Sequence, residues 1–328
     1  MSARRLVVPT GVMLTGCSGP MSTLDPAGPA AARIAELSWL FMAVTLVPAL
    51  LVIGLVLYAV RRARRTGGDD RLPLGEWRFI VAGGVAFPLV ILLFMTFVNV
   101  RTTAGVARAP GDAGLVVEVT AHQYWWEIRY PRHGIVTANE LHIPVGTTVE
   151  VRLATSDVIH AFWVPRLQGK TDMTPGHSTT TWLLADAPGE YRGQCAEYCG
   201  LQHALMAFLV IAQPRDEFDG WVDRMRGTPA APTTDAALRG REIFAASCAH
   251  CHAIRGAHAL RHTGSVGPDL THLAARRTLA AATLPNTTDN LAAFIRDPHA
   301  KKPGLRMPAT ALSPEALGAL LAYLGTLQ

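Results

Sequence analysis

Two long uncharged stretches dominate the alternation of apolar and polar positions: Leu37 to Val60 (LSWLFMAVTLVPALLVIGLVLYAV) and Phe79 to Val98. About 20 consecutive apolar residues suffice to cross a bilayer, so each predicts a membrane-spanning helix. The connecting segment RRARRTGGDDRLPLGEWR bunches Arg61, Arg62, Arg64 and Arg65 at its start. Basic loops stay on the cytoplasmic side, which places the N-terminus and everything after Val100 outside. From Leu115 to about Gln213 the apolar runs shorten to strand length. Val149, Val151 and Leu153 alternate with Glu150 and Arg152, the period-2 pattern of half-buried strands. Several such strands in about a hundred residues predict a β-sandwich or Greek-key barrel. GTPAAPTT (227–234) reads as a linker, and ALRGREIFAASCAHCH beyond it has helical periodicity. Ser313 before Pro314 opens a last apolar helix, predicted to pack on the helix before Cys248.

Composition narrows the classes. A chain of 328 residues, 49% hydrophobic and 17% charged, holds two or three folding units and is neither disordered nor collagenous. Its net charge of +5 rests on arginine, since Lys170, Lys301 and Lys302 are the only lysines. Arginines beside an apolar span are a topology signal, so no nucleic acid partner is expected. Of five cysteines, Cys195/Cys199 and Cys248/Cys251 form tight pairs, which suggests metal or cofactor attachment rather than a disulfide scaffold. Cys17 closes Leu14-Thr15-Gly16-Cys17 behind Arg4 and Arg5. That arrangement resembles the lipobox of bacterial lipoproteins and makes 1–17 a signal segment with Cys17 as the lipidation site; an ordinary signal segment is the alternative.

Cys195-Ala-Glu-Tyr-Cys199-Gly-Leu-Gln-His203-Ala-Leu-Met206, with His160 upstream, gathers thiolates, imidazoles and a thioether. Such soft and borderline donors select copper or zinc. Four readings stand open on the residues: a disulfide, which strands His203 and Met206; a Cys2His2 zinc site, which omits Met206; a mononuclear blue-copper site, which leaves one cysteine over; and a dinuclear copper site, which uses every member. Further on, Cys248-Ala-His-Cys251-His252 has the form of a c-type haem attachment site, with a redox dithiol or half a zinc site as alternatives. Met307 is the only methionine after it, while His258, His262, His272 and His299 compete as second axial ligand. Gly267-Pro268-Asp269-Leu270 resembles the cytochrome segment whose proline carbonyl orients the proximal histidine.

On these residues the chain resembles subunit II of the caa-type cytochrome c oxidases, in which a cytochrome c domain follows a CuA domain. The resemblance implies a two-helix transmembrane hairpin (33–100), an all-β cupredoxin-like Greek-key domain (109–226), the linker (227–234) and an all-α class I cytochrome c domain (235–328). It also implies that Cys195 and Cys199 bridge two coppers, with His160 and His203 as terminal ligands and Met206 and the Glu197 carbonyl as weak ones. The Glu197 side chain would reach a magnesium ion shared with subunit I. Cys248 and Cys251 would carry haem c, with His252 and Met307 axial. Ser156 to His160 and Lys170-Thr171-Asp172 look like segments facing the catalytic subunit. Gln123-Tyr124-Trp125-Trp126 looks like the aromatic cluster where electrons enter, with Tyr124 where many members have tryptophan. Glu76 is the one acidic candidate near the start of the second span for proton uptake.

The implied work is one-electron transfer from cytochrome c or another periplasmic donor, through haem c and CuA, to subunit I, which reduces oxygen to water with proton pumping; subunit III and membrane lipid are further partners. The implied location is the bacterial plasma membrane, multi-pass, with both large domains extracytoplasmic. A nitric oxide reductase carrying CuA and a membrane-anchored copper chaperone or electron carrier are the alternatives. A short linker can tether the last domain at an effective concentration of order millimolar, so no strong docking surface is required of the copper domain.

Overall fold

The computed structural model describes residues 17–66, 76–257 and 266–328. The body of the signal segment, the Glu76 side chain, His258 and His262 lie outside the described residues.

Helix α1 spans Pro29–Thr66, starting well ahead of the expected boundary at Leu37. Proline suits the first helical position because its missing N–H would have no partner there. The small residues Ala30, Ala31 and Ala35 are buried, and this end of α1 packs against strand β7 (Gln168–Met173). Just before the helix, the Ala27 N–H donates to the Arg166 carbonyl (2.7 Å) and the Ala27 carbonyl accepts from Asp186 N–H (2.9 Å). The second span begins as α2 (Glu76–Phe79), passes through a π-helical stretch at Ile80–Ala86 and continues as α3 (Phe87–Ala107). Leu50, Val52, Val90 and Phe94 are all more than half or close to half exposed, as side chains facing lipid must be. At the end away from the 61–65 arginines, Arg33 Nη1 donates to the Gly105 carbonyl (2.8 Å) and ties α1 to α3, while Trp182 Nε1 donates to that of Val106 (2.9 Å) and pins α3 to the domain that follows.

That domain is a sandwich of two five-stranded sheets. One orders β3 (Ile135–Ala138), β2 (Trp125–Tyr130), β1 (Leu115–His122), β5 (Val149–Thr155) and β8 (Thr179–Leu183). The other orders β4 (Glu140–Pro144), β10 (Ala207–Gln213), β9 (Gly189–Cys195), β6 (His160–Val164) and β7. Strict alternation along β1 buries Val117, Val119 and Ala121, and Trp126, Phe162 and Phe208 interlock between the sheets at ring separations of 4.8 to 6.0 Å. Helix α4 (Arg215–Arg226) was not expected from the sequence, although Phe218, Trp221, Val222 and Met225 lie at helical spacing and are its buried face.

In the C-terminal part, α5 (Asp235–Ser247) is capped by the Thr234 hydroxyl and α8 (Pro314–Leu324) by that of Ser313. Helices α6 (Thr288–Arg296) and α7 (Pro298–Lys301) and the short pair β11 (Thr278–Leu279) and β12 (Leu284–Pro285) fill the interval. As expected, α8 packs on α5. Their crossing is set by Gly240, where a Cβ would lie 2.0 Å from the Ala319 carbonyl oxygen. Phe244 meets Tyr323 beside it (5.8 Å, 65°). The hairpin, the β-sandwich and the helical domain are thus the three parts read from the sequence.

Candidate metal centre and attachment site

Strand ends bring the first set of side chains together. Strands β10, β9 and β6 are neighbours; β6 begins with His160, β9 ends with Cys195, and Met206 precedes β10. The intervening loop carries Glu197 and Cys199 and a 3-10 turn at His203–Leu205. Cys195 Sγ lies 3.7 Å from His160 Nδ1 and 3.8 Å from Cys199 Sγ; Cys199 Sγ lies 3.7 Å from His203 Nδ1 and 3.8 Å from Met206 Sδ. The Glu197 carbonyl oxygen is 3.2 Å from Cys195 Sγ, while its side chain faces outward and is exposed. A sulfur separation of 3.8 Å is no disulfide, whose bond is about 2.05 Å, and both thiols are free. Bonds of about 2.0 Å to nitrogen and 2.3 Å to sulfur place donors of one ion at the separations found here. The donor set therefore fits a thiophilic metal, and it divides in two: His160 with Cys195, and Cys199 with His203 and Met206.

His160 is fully buried, and its Nε2–H donates to Asp157 Oδ1 at 2.8 Å. That bond fixes the tautomer and leaves Nδ1 facing Cys195. Burial opposes ionisation of Asp157, but His160 and the Gln123 and Val158 amides outweigh it and bring the carboxyl down to about 2. Burial likewise opposes protonation of His160, yet Asp157 and Cys195 together hold its pKa above the ordinary value. Contact with Cys199 is the largest influence drawing the Cys195 thiol down, and the same contact pushes Cys199 up. One negative charge is thus readily held by the pair.

The second set surrounds an apolar cavity in the C-terminal part. Cys248 and Cys251 lie just beyond α5, and burial raises the Cys248 thiol to about 11. His252 Nδ1 bonds the Pro268 carbonyl at 2.8 Å, which leaves Nε2 as the nitrogen available to a metal. Gly267 is required beside it, since a Cβ there would lie 2.8 Å from His252 Cε1. Met307 lines the cavity; His272 and His299 do not. His272 instead bonds the terminal Gln328 carbonyl through Nδ1 (2.8 Å). Arg276, half-buried in the cavity wall, has a buried Nε–H without a partner among the described residues, and desolvation pulls its pKa down. Paired thiols, an oriented imidazole, a thioether, apolar walls and one unsatisfied guanidinium N–H fit a haem with its anionic edge.

The sandwich closes one side of this cavity, through Gln123, Tyr124, Trp125 and Asn139. Tyr124 and Trp125 are accordingly only 7% and 9% exposed, and Trp125 stacks on His122 (4.3 Å, 6°). They form no open patch for an external protein. The tether expected from the linker is likewise joined by a built contact: Arg255 donates to the Met225 and Arg226 carbonyls (3.0 Å each) at the end of α4 and to that of Gly134 (2.9 Å). Cation and helix C-terminus attract one another. Elsewhere Val158 and Ile159 are exposed, and Lys170 and Asp172 are exposed on β7. Cys17 is half-buried, its carbonyl accepting from the Ser22 hydroxyl (2.6 Å).

Residues 133–213 match the family model described as cytochrome C oxidase subunit II, periplasmic domain, and residues 237–328 match that described as cytochrome c. The chain is 38% identical to cytochrome c oxidase subunit 2 of Alkalihalophilus pseudofirmus over 97% of its own length and 94% of the relative's. It is 35% identical to the protein of the same name from Bacillus sp. (strain PS3), again over 97% and 94%. Among solved structures, the periplasmic domain of subunit II of cytochrome oxidase from Bradyrhizobium japonicum matches 35% of this chain and 96% of that chain, with 30% identity and a TM-score of 0.35.

Proposed function

Because the chain belongs to the cytochrome c oxidase subunit 2 family and carries a cytochrome c domain, as part of an oxidoreductase, we propose that it carries electrons singly from a periplasmic donor through haem c to a dinuclear copper centre. Subunit I then receives them and reduces oxygen to water with proton pumping. His160, Cys195, Cys199, His203 and Met206, with the Glu197 carbonyl, would hold the coppers; Cys248 and Cys251 would hold the haem covalently, and His252 and Met307 would ligate its iron. The observation that carries this reading is the division of the donor set into two halves joined by the sulfur pair. A single zinc ion would leave Met206 without a role.

The copper pair, when bound, supplies a one-electron carrier whose charge is shared between two ions. The chain's own residues prepare that site. Asp157 holds the His160 ring, and the buried strand ends keep water away from the sulfurs. On the haem side, the Pro268 carbonyl orients His252, and mostly apolar residues line the cavity beside it. Methionine ligation raises the potential of a haem, which suits a carrier placed between a cytochrome donor and copper.

The same reading places both helices across the bacterial plasma membrane, with the domains outside, Cys17 lipidated and the 61–65 arginines inside. The exposed Glu197 side chain is free to meet a magnesium ion at the boundary with subunit I, and subunit III completes the assembly. Its domain limits are 33–100, 109–226, 227–234 and 235–328. Purification of the native complex with copper and haem analysis, EPR and an oxygen-consumption assay tests it. Two coppers and one covalent haem per chain are expected, and Cys199→Ser should abolish the paired-copper signal while leaving the haem. One zinc per chain, or a blue mononuclear spectrum, would overturn it.

A further inference from the structure

Two charged side chains are buried between the sandwich and the C-terminal domain, and among the described residues neither forms an ion pair. Glu140, 3% exposed at the start of β4, accepts through Oε1 from the Arg277 and Thr278 amides (2.9 and 2.8 Å) and the Thr278 hydroxyl (2.9 Å). Lys302, 1% exposed, donates from Nζ to the carbonyls of Tyr124 (3.2 Å), Leu205 (3.0 Å) and Ala280 (3.2 Å). The sandwich thus sends an anion into backbone amides of the C-terminal domain. That domain returns the Lys302 amine to two backbone carbonyls of the sandwich, its third acceptor being Ala280 of its own domain. Burying a polar or charged group costs desolvation free energy that is recovered only where its hydrogen bonds are well made, so displacing either group from its partners is penalised.

A strained turn serves the same contact. Ala280, Ala281 and Ala282 all have left-handed backbone, with φ of 54°, 57° and 54°, a conformation that residues other than glycine hold only when their surroundings over-determine it. Their three carbonyls accept in order from Lys302 Nζ, Ala207 N–H (3.2 Å) and Arg192 Nη1 (3.2 Å). Ala207 directly follows Met206. On the other side, Gln202 Nε2 donates to the Pro303 carbonyl at 2.6 Å, and Pro303 lies on the way to Met307. The loop from Lys302 to Met307 and the loop from Cys199 to Met206 are therefore tied to one another.

We propose that Glu140 and Lys302 are positioning residues that lock these two loops in one register, so that the electron crosses between haem and copper at a fixed separation rather than after diffusion on a tether. The proposal rests on the copper and haem reading above. One electron leaves the reduced haem iron and reduces the copper pair; tunnelling slows steeply with separation, so even a small loss of register is costly.

Full-length complexes with Lys302→Met and with Glu140→Gln test this, the first keeping the aliphatic stem and the second the shape of the side chain. Copper and haem content are measured first, then amide exchange of the peptide containing Ala207, then haem-to-copper electron transfer after photoreduction of the haem. Each variant should keep both cofactor signals, exchange at Ala207 about tenfold faster or more, and transfer electrons about tenfold more slowly or worse. Unchanged exchange and transfer would overturn the proposal. So would loss of both cofactors in both variants, because the side chains would then serve folding rather than register. Absence of copper or haem from the unsubstituted chain would count against the functional reading alone, and exchange at Ala207 would still judge the lock.

Discussion

Gln123 donates its side-chain Nε2–H to the carbonyl of Cys199 at 2.6 Å, while its backbone N–H donates to Asp157 Oδ2 at 2.7 Å. The next residue, Tyr124, lines the cavity of the C-terminal domain. The turn between β1 and β2 therefore touches the loop of the metal centre on one side and the haem cavity on the other. Asp157 links that turn to His160.

Asp157→Ala should loosen His160 without removing a ligand. Loss of an outer partner of a ligating histidine typically weakens metal binding about 10- to 100-fold. Copper retention against a competing chelator should fall within that range while the haem absorbance stays unchanged.

Met307→Ala should remove the weak sulfur-to-iron band near the red edge of the oxidised spectrum and lower the reduction potential, because methionine ligation raises it. Neither His272 nor His299 lines the cavity, so no replacement by those two is expected. Redox titration of the purified complex checks both effects.

Gly240→Ala places a methyl group 2.0 Å from the Ala319 carbonyl oxygen. Alanine favours a helix over glycine by roughly 1 kcal/mol, but forcing α5 and α8 apart costs about 1–3 kcal/mol or more. The net result should be destabilisation of the C-terminal domain. Thermal unfolding followed at the haem band should move down in temperature, with the copper band holding to higher temperature.

Acid should weaken the sandwich through His142. Burial lowers its pKa from 6.5 to about 4, and the hydrogen bond that its Nδ1–H donates to Gln213 Oε1 (2.8 Å) only partly opposes this; the ring stacks on Trp221 (4.2 Å, 10°). Between pH 4 and 6.5 the unfolded chain binds a proton that the folded chain refuses. The corresponding stability is present above pH 6.5 and is lost as pH falls towards 4, up to about 3 kcal/mol. The urea midpoint at pH 5 should lie below that at pH 7, and the difference should shrink in His142→Gln.

Local chemistry was legible in the sequence where the residues sit together. Cys195, Cys199, His203 and Met206 share one loop, and Cys248, Cys251 and His252 share one turn; Ser313 announced the cap of α8. Contacts that span the chain were not legible. Lys302 and Tyr124 are 178 positions apart and Glu140 and Thr278 are 138 apart, so nothing local distinguishes that lysine from a solvated one. Tyr124 and Trp125 read as an aromatic cluster where electrons enter, and only the assembled fold shows them covered. Hydrophobic patterning records that a residue is buried, not which distant element buries it. The early start of α1 escaped for a related reason: Ala30, Ala31 and Ala35 are too small to register as an apolar stripe, yet smallness is what lets the helix press against β7.

That start has a mechanical consequence. Helix α1 is 38 residues long, about 57 Å at 1.5 Å per residue, nearly twice a hydrocarbon core of about 30 Å. It leaves the sandwich directly after the backbone bonds of Ala27, with no slack between them. A spanning helix meets a thinner bilayer by tilting, and this one cannot lean without leaning the sandwich that it carries. The helix is thus a lever joined directly to the sandwich: in a membrane, any change in its tilt would change the angle at which the sandwich stands to the lipid surface.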